Sequence, residues 1–457
     1  MARQPGSLPF GRWLPEWRRE SLRTNLWLLP TLLTVAVVLL FVATYEIDQA
    51  VHRGDLSLPS WMDQGSADAG RQVLSAIAAG VITVAGVVFS VTIVVLTLAS
   101  QQFGPRMLRN LIRDVGTQVS LGAYVATFVY TVLALGSISS AGPRPFVPHL
   151  SISVCLLLLL VDIVVLIYFI HHIAVTIQLP QVMAGISKDL HKAIDLHFPE
   201  PSPATGSEGA VLGSEDVIRS MPDDGVVVVA RRSGYLQFID RDRLVAMAAR
   251  HDCVVQLLYR PGHFVTTGLP MARIWPPTAA PSAAASLERL HVSGSQRTLA
   301  QDPVFAVDQL VEIAIRALSP AVNDTFTAIT CIDWLSDGLC VITRRDFPEP
   351  VYRDRSGAVR VVEPKASYAR IVNRAHDKIR QAGRGMPAVL IRQIDGLGKV
   401  MVTARTRTQV RVLLRQADMI WRAGMSDIAE PEDRRDLQRR YDDLTERFGL
   451  PESDLTD

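Results

Sequence analysis

Four stretches of the chain run with almost no polar break: residues 26 to 45, 73 to 99, 119 to 138 and 150 to 171. A hydrocarbon core of about 30 Å needs roughly 20 apolar residues rising 1.5 Å each, and every stretch meets that length. Lipid offers no partner for a free amide or carbonyl, so all four tracts are expected to be transmembrane helices. Residues 1 to 25 form a polar leading segment, and the tract that follows is too long for the apolar region of a signal peptide. It is expected to remain as an anchor.

Basic residues orient the spans. Arg3, Arg12, Arg18, Arg19 and Arg23 precede the first, and Arg106, Arg109 and Arg113 lie between the second and third. The first loop instead holds Glu46, Asp48, Asp55, Asp63 and Asp68 against Arg53 and Arg71, and the third offers only Arg144. The N-terminus and everything after the fourth span are therefore expected in the cytoplasm.

The second span differs from the others. From Gln72 to Phe103 no residue is charged, and as a straight helix this stretch would measure roughly 48 Å, longer than the hydrocarbon is thick. Ala76, Ala79, Thr83, Gly86, Ser90 and Thr97 recur along it at spacings of three, four and seven, which draws a small, hydroxyl-bearing stripe down one face. Such a stripe serves either as a helix-packing seam or, in symmetry-related copies, as the wall of a conduit. Phe103, Gly104, Pro105 and Arg106 should end or bend the helix, and Arg106, Arg109 and Arg113 then share a face that suits anionic lipid or a pore mouth. In the fourth span Asp162 is the single formal charge, an expensive group that marks a functional candidate. His171 and His172 close that helix pointing about 100° apart, which suits interfacial or packing roles better than joint chelation.

Beyond the spans the pattern changes. Residues 172 to 210 read as an amphipathic helix and a Pro/Ser linker, and His191, Asp195 and His197 within it lack a completing ligand set. Residues 211 to 275 read as a small β-rich module: strands at 225 to 230, 234 to 239 and 253 to 259, with a helix at 241 to 250. The run from Arg260 to Ala272 resembles the turns of barrel-sandwich hybrid folds, the shape of biotinyl and lipoyl carriers, but no Lys occurs from 211 to 275 to carry a prosthetic group. Pro276 to Ala285 separate this module from a helical region at 286 to 457, with helices at 366 to 382, 386 to 396, 405 to 424 and 431 to 447.

The densest polar pattern lies at the start of that region. A helix with apolar positions from 304 to 318 stops at Ser319-Pro320, and Asn323 or Asp324 can cap a second helix running to about Val341. Asp308, Glu312 and Arg316 fall at i, i+4 and i+8, where they can pair with one another or contact an ion or ligand.

Composition adds exclusions. A mean hydropathy of +0.21 with 20% charged residues is too apolar for an ordinary soluble chain, and a net charge of +2 gives no field for nucleic acid. Cys155, Cys253, Cys331 and Cys340 have neither disulfide nor zinc spacing. No nucleophile elbow, HExxH motif or Cys/His dyad occurs, so no catalytic residues, metal or cofactor are expected.

The segments Phe89 to Arg109 and Arg316 to Ala328 resemble the signatures of the bacterial DUF2254 family of predicted membrane proteins. The resemblance implies an inner-membrane setting and an architecture, and no activity. Where that family has Pro after the Asn-Asp pair, this chain has Thr325. The expected fold is thus a polytopic α-helical domain of four transmembrane helices plus a cytoplasmic α+β region. Its expected partners are the bilayer, further copies of the chain, and an ion or small solute. The expected role is an oligomeric channel or transport-like protein, with a non-conducting anchored sensor or scaffold as the alternative.

Overall fold

The computed structural model describes residues 27–56, 66–103, 114–139, 146–176, 178–201 and 214–449, with side chains in the second segment described only to Leu98 and in the last from Asp216. The chain divides into two compact units, residues 1–181 and 182–457. The leading arginines and the residues from Gly104 to Arg113 lie outside the described residues.

Among the described residues the first unit contains four helices: α1 (Leu28–Arg53), α2 (Ala67–Phe103), α3 (Val115–Ser137) and α4 (His149–Thr176). All four are long and apolar enough to cross a membrane. Two exceed the expected bounds. Helix α1 continues eight residues past 45, so Asp48 is helical and buried rather than a loop residue, and α2 starts early enough to include Asp68 and Arg71.

Helix α3 is the centre of this unit, packed against each of the other three. Its inward face is small and hydroxyl-bearing, with Ser120, Gly122, Ala126, Thr127, Thr131 and Ala134 all buried. Small side chains let helix axes approach in an apolar medium, where close packing must supply the association energy. Gly122 illustrates the need, because a Cβ there would sit 2.7 Å from Leu33 Cδ1 and 2.9 Å from Pro30 Cα of α1.

Asp48 is 3% exposed and works across the bundle. Its carboxylate accepts from Leu150 N (2.9 Å), Ser151 N (3.0 Å) and Ser151 Oγ (2.7 Å), in the first turn of α4. A helix start leaves its first amides without intrahelical acceptors, and a carboxylate there satisfies both the hydrogen bonds and the positive end of the helix dipole. The network continues through Ser151 Oγ to Thr44 Oγ1 (3.2 Å), which shares a hydrogen bond with Tyr130 Oη (2.9 Å) on α3.

The second unit is α+β. It begins with α5 (Leu179–His197) and continues through α6 (Ser214–Arg219), β1 (Val226–Val229), β2 (Gly234–Ile239), α7 (Arg241–Arg250), β3 (Val254–Leu257), β4 (Phe264–Val265) and β5 (Pro270–Trp275). Then come α8 (Ala280–Leu287), β6 (His291–Gly294), α9 (Val304–Ala317), α10 (Thr325–Arg344), β7 (Val351–Arg353) and β8 (Val359–Val362). Four helices complete it: α11 (Tyr368–Ala382), α12 (Pro387–Met401), α13 (Arg407–Asp427) and α14 (Pro431–Phe448).

The strands between 211 and 275 divide between two sheets, ordered β1-β5-β3-β8-β7 and β4-β2-β6, and each sheet is completed from outside that range. Strand β3 pairs in parallel with β8, Val255 opposite Val361, and β2 pairs antiparallel with β6. No separate module therefore closes at 275. The Pro/Ala stretch expected as a separator is instead the start of α8, whose Ala280, Ala283 and Leu287 are buried against the sheet core of Leu236, Val255 and Ile274.

Helix α5 likewise belongs to the second unit and is not a free connector. Met183, Ile186, Leu190 and Ile194 are buried, and Leu190 fills the space over Gly338 of α10. Helix α10 is the fifth helix that length and composition would allow to span a membrane. It packs against α9 and α12, and its Asp333 meets Arg392 at 2.7 Å.

Replacing Asp48 by Ala should destabilise the chain by about 1–3 kcal/mol by leaving buried donors at the start of α4 unpaired, while Asn should recover part of the loss. Thermal unfolding in detergent reads this directly: equal midpoints for D48A and the unmodified chain would contradict the cross-helix cap.

Candidate functional site

In the first unit the stripe of α2 faces away from the bundle. Leu74, Ile77, Val81, Ala85, Val88 and Val95 are buried, whereas Ala76, Ala79, Thr83, Gly86, Ser90 and Thr97 are exposed. A Cβ at Gly86 would meet nothing within 4 Å. The hydroxyls of Thr83 and Thr97 donate to their own helix, at Ala79 O (2.7 Å) and Ile93 O (2.9 Å), leaving their lone pairs outward. Beside the stripe α2 also exposes Ile82, Val87, Phe89, Ile93 and Val94, and the exterior of α4 is built of Leu157, Leu160, Val164, Ile167 and Ile170. The packing seam of the single chain is thus the small face of α3, not the stripe of α2. Phe103 ends α2, and Gly104, Pro105, Arg106, Arg109 and Arg113 lie outside the described residues.

Asp162 points into the bundle and is 4% exposed. Neither carboxylate oxygen accepts a well-aligned hydrogen bond among the described residues, Thr127 of α3 being the neighbouring hydroxyl. Tyr124 Oη donates to the Asp162 backbone carbonyl at 3.1 Å. The paired histidines separate in role: His172 Nε2 meets Asp114 Oδ2 at 2.8 Å and stacks on Tyr168 with ring centroids 5.3 Å apart. The same Asp114 caps α3 through Thr117 N (2.8 Å) and Thr117 Oγ1 (2.7 Å).

In the second unit the α9–α10 hairpin forms as its pattern indicates. Asp324 caps α10 by accepting from Thr327 N (3.0 Å) and Thr327 Oγ1 (2.6 Å), and these bonds hold its pKa below the ordinary value. Asn323 takes the left-handed backbone, φ +50°, that Asn tolerates better than most residues. Ser319 Oγ donates to Arg316 O at 2.7 Å, Pro320 is exposed, and Glu312 and Arg316 are half-buried along α9. Phe326, at the tip, is 83% exposed.

Asp308 leaves that row and pairs across elements, with Arg297 from the loop after β6 and Arg374 from α11. Arg297 also donates through Nε to Asp302 Oδ2 at 2.9 Å and lies over the Phe305 ring at 5.1 Å. Asp302 is itself buried beneath Gly262, which has φ +92° and no room for a Cβ against the Asp302 carboxylate. That turn, Arg260 to His263, brings a third basic group to the same place.

A second charged cluster adjoins it. Glu363, 1% exposed at the end of β8, receives both arms of Arg241 (2.7 and 2.9 Å) and Lys365 Nζ (2.7 Å), and Lys365 also donates to Tyr352 Oη (2.7 Å). Burial alone would raise Glu363, but Arg241 and Lys365 hold it at about 2. Burial brings Lys365 down to about 8 against the pull of Glu363. The expected His191, Asp195 and His197 group does not converge. His197 Nε2 meets Ala300 O at 2.9 Å, Asp195 meets Arg345, and His191 Nε2 lies 3.0 Å from Asp337 without hydrogen-bond alignment. No group of three metal-ligating side chains occurs among the described residues. Sequence spacing could not reveal the Arg260, Arg297, Arg374 and Asp302 convergence, because three separate segments supply it.

The buried histidines make stability depend on pH. Burial lowers His197, His263 and His376 from 6.5 to about 4, with Arg241 adding to the effect at His197 and Arg260 at His263. The unfolded chain takes up these protons near pH 6.5 and the folded chain only near 4, so stability falls as pH drops through that window. Glu363 acts in the same sense from 4.5 down to about 2. The unfolding midpoint of the full chain should therefore fall steadily from neutral pH to about pH 4, with H376Q flattening the slope. A midpoint constant over that range would contradict neutral, buried histidines.

A family model described as predicted membrane protein, DUF2254, matches residues 23–399. An uncharacterized protein of Mycobacterium tuberculosis strain H37Rv is 33% identical over 425 residues, covering 91% of this chain and 79% of its own length. An uncharacterized protein of Mycobacterium bovis matches to the same identity and extent. No solved structure matches. The matched range takes in α1 to α4, the α9–α10 hairpin and both charged clusters, and the chain belongs to the DUF2254 family of predicted membrane proteins.

Proposed function

We propose that this membrane protein is an oligomeric channel or transport-like protein of the bacterial inner membrane, in which copies of α2 line a conduit for an ion or small solute. The observation that carries the reading is the outward stripe of Ala79, Thr83, Gly86, Ser90 and Thr97 on a bundle whose own packing never uses it. A lipid-facing helix is served by large aliphatic side chains, as on α4, and gains nothing from exposed Gly and hydroxyl groups. Around a symmetry axis the same face allows close approach and supplies sparse polar groups to an apolar wall.

In this reading α1 to α4 are the spans, and residues 182–457 lie in the cytoplasm with the N-terminus, following the basic loops. Helix α10 is a core helix of the second unit, since it packs against α9 and α12 and its Asp333 already pairs with Arg392 there. A second reading, a non-conducting anchored sensor, is favoured by the basic cluster of the second unit.

A Cβ at Gly86 meets nothing within 4 Å among the described residues and Ser90 is exposed, so G86L and S90L should leave the monomer folded. Purified protein should be oligomeric, and both variants should lose ion flux in reconstituted liposomes. A monomeric protein, or variants that conduct as well as the unmodified chain, would sink the channel reading.

A further inference from the structure

The turn after β3, the loop after β6 and helix α11 bring four guanidinium groups to one place in the second unit. Arg260, Arg370, Arg297 and Arg374 all lie within electrostatic reach of His263, and the same arginines act on one another around Asp302. Two of the four are neutralised: Arg297 by Asp302 and Asp308, and Arg374 by Asp308. Neither Arg260 nor Arg370 has a carboxylate within ion-pair distance among the described residues. Two positive charges are left over. Arg260 is half-buried, where a cation without a counter-charge is costly.

Two further atoms lack partners. His263 Nε2 is buried with no hydrogen bond, and so is Thr298 Oγ1 on the residue after Arg297. The carboxylates of Asp302 and Asp308 therefore act as struts that aim Arg297 and Arg374, while Arg260, Arg370 and His263 remain available.

We propose that Arg260, Arg297, Arg370, Arg374 and His263 form a binding site for a phosphoryl dianion, the terminal phosphate or pyrophosphate of a small molecule. The planar guanidinium fork matches phosphate oxygens two at a time, and a phosphomonoester carries close to the two negative charges that the cluster lacks. Acidic peptides present single carboxylates spaced along a chain and fit a convergent, half-buried site less well. Binding here does not require conduction, so the site and the channel reading stand or fall separately.

The test is calorimetric titration of inorganic pyrophosphate into the full chain in phosphatidylcholine nanodiscs, against chloride at matched ionic strength. R370Q removes an exposed side chain with no ion-pair partner among the described residues and should fold normally, and it and R260Q should each weaken binding about tenfold or more. R435Q, on α14, should bind as the unmodified chain does. No pyrophosphate binding, or equal affinity in R370Q, R260Q and the unmodified chain, would overturn the proposal. So would an R435Q loss as large as that of R370Q, since binding would then follow net charge. Repeating the titration in nanodiscs containing phosphatidic acid separates the sources. Weakened pyrophosphate binding there identifies a lipid phosphate as occupant of the same site, and unchanged binding identifies a soluble one.

Discussion

Three donors in the first turn of α4 converge on the carboxylate of Asp48, a residue of another helix. In an apolar bundle those amides have no water to turn to, so the cap fixes where α4 begins and which helix stands beside it. The far end of α4 is fixed by a similar device. His172 meets Asp114, which also caps α3, so that one carboxylate ties the start of one helix to the end of the next. Between these two anchors α3 and α4 must lie close, and Thr131 Oγ1 and Cys155 Sγ in fact approach to 3.0 Å.

That closeness explains the division of labour among the helices. Helix α3 carries a whole face of small inward residues, because it is the helix the other three pack against. Helix α2 joins the bundle mainly through Leu, Ile and Val, with Gly70 and Ala85 also inward, and leaves the small residues of its stripe outside. An inventory of small residues is therefore silent on function until inside and outside are known. The same residue types close a bundle in one helix and stay free for another contact in the other.

The second unit follows a parallel logic with charges. Glu363 is held by Arg241, 122 residues away, and by Lys365, and Asp308 by Arg297 and Arg374, so these carboxylates tie strand, loop and helix together. Where the count of cations exceeds that of carboxylates, around Arg260 and Arg370, the surplus is a property of the assembled unit and of no single element.

The sequence by itself determined what depends on neighbours along the chain. Apolar length defined the four helices described in the first unit, runs rich in β-branched and aromatic residues the strands expected at 225 to 230 and 234 to 239, and local capping chemistry the α9–α10 turn with Asn323 or Asp324 as its cap. Each follows from interactions a few residues apart. Tertiary structure alone decided the rest. It drew Asp48 out of an expected loop into a buried cap 102 residues away, completed the β-module with β6, β7 and β8, and sent Asp308 to Arg297 and Arg374 instead of along its own helix. Buried polar groups must find partners wherever the fold brings them, and for these residues the partners lie far along the chain.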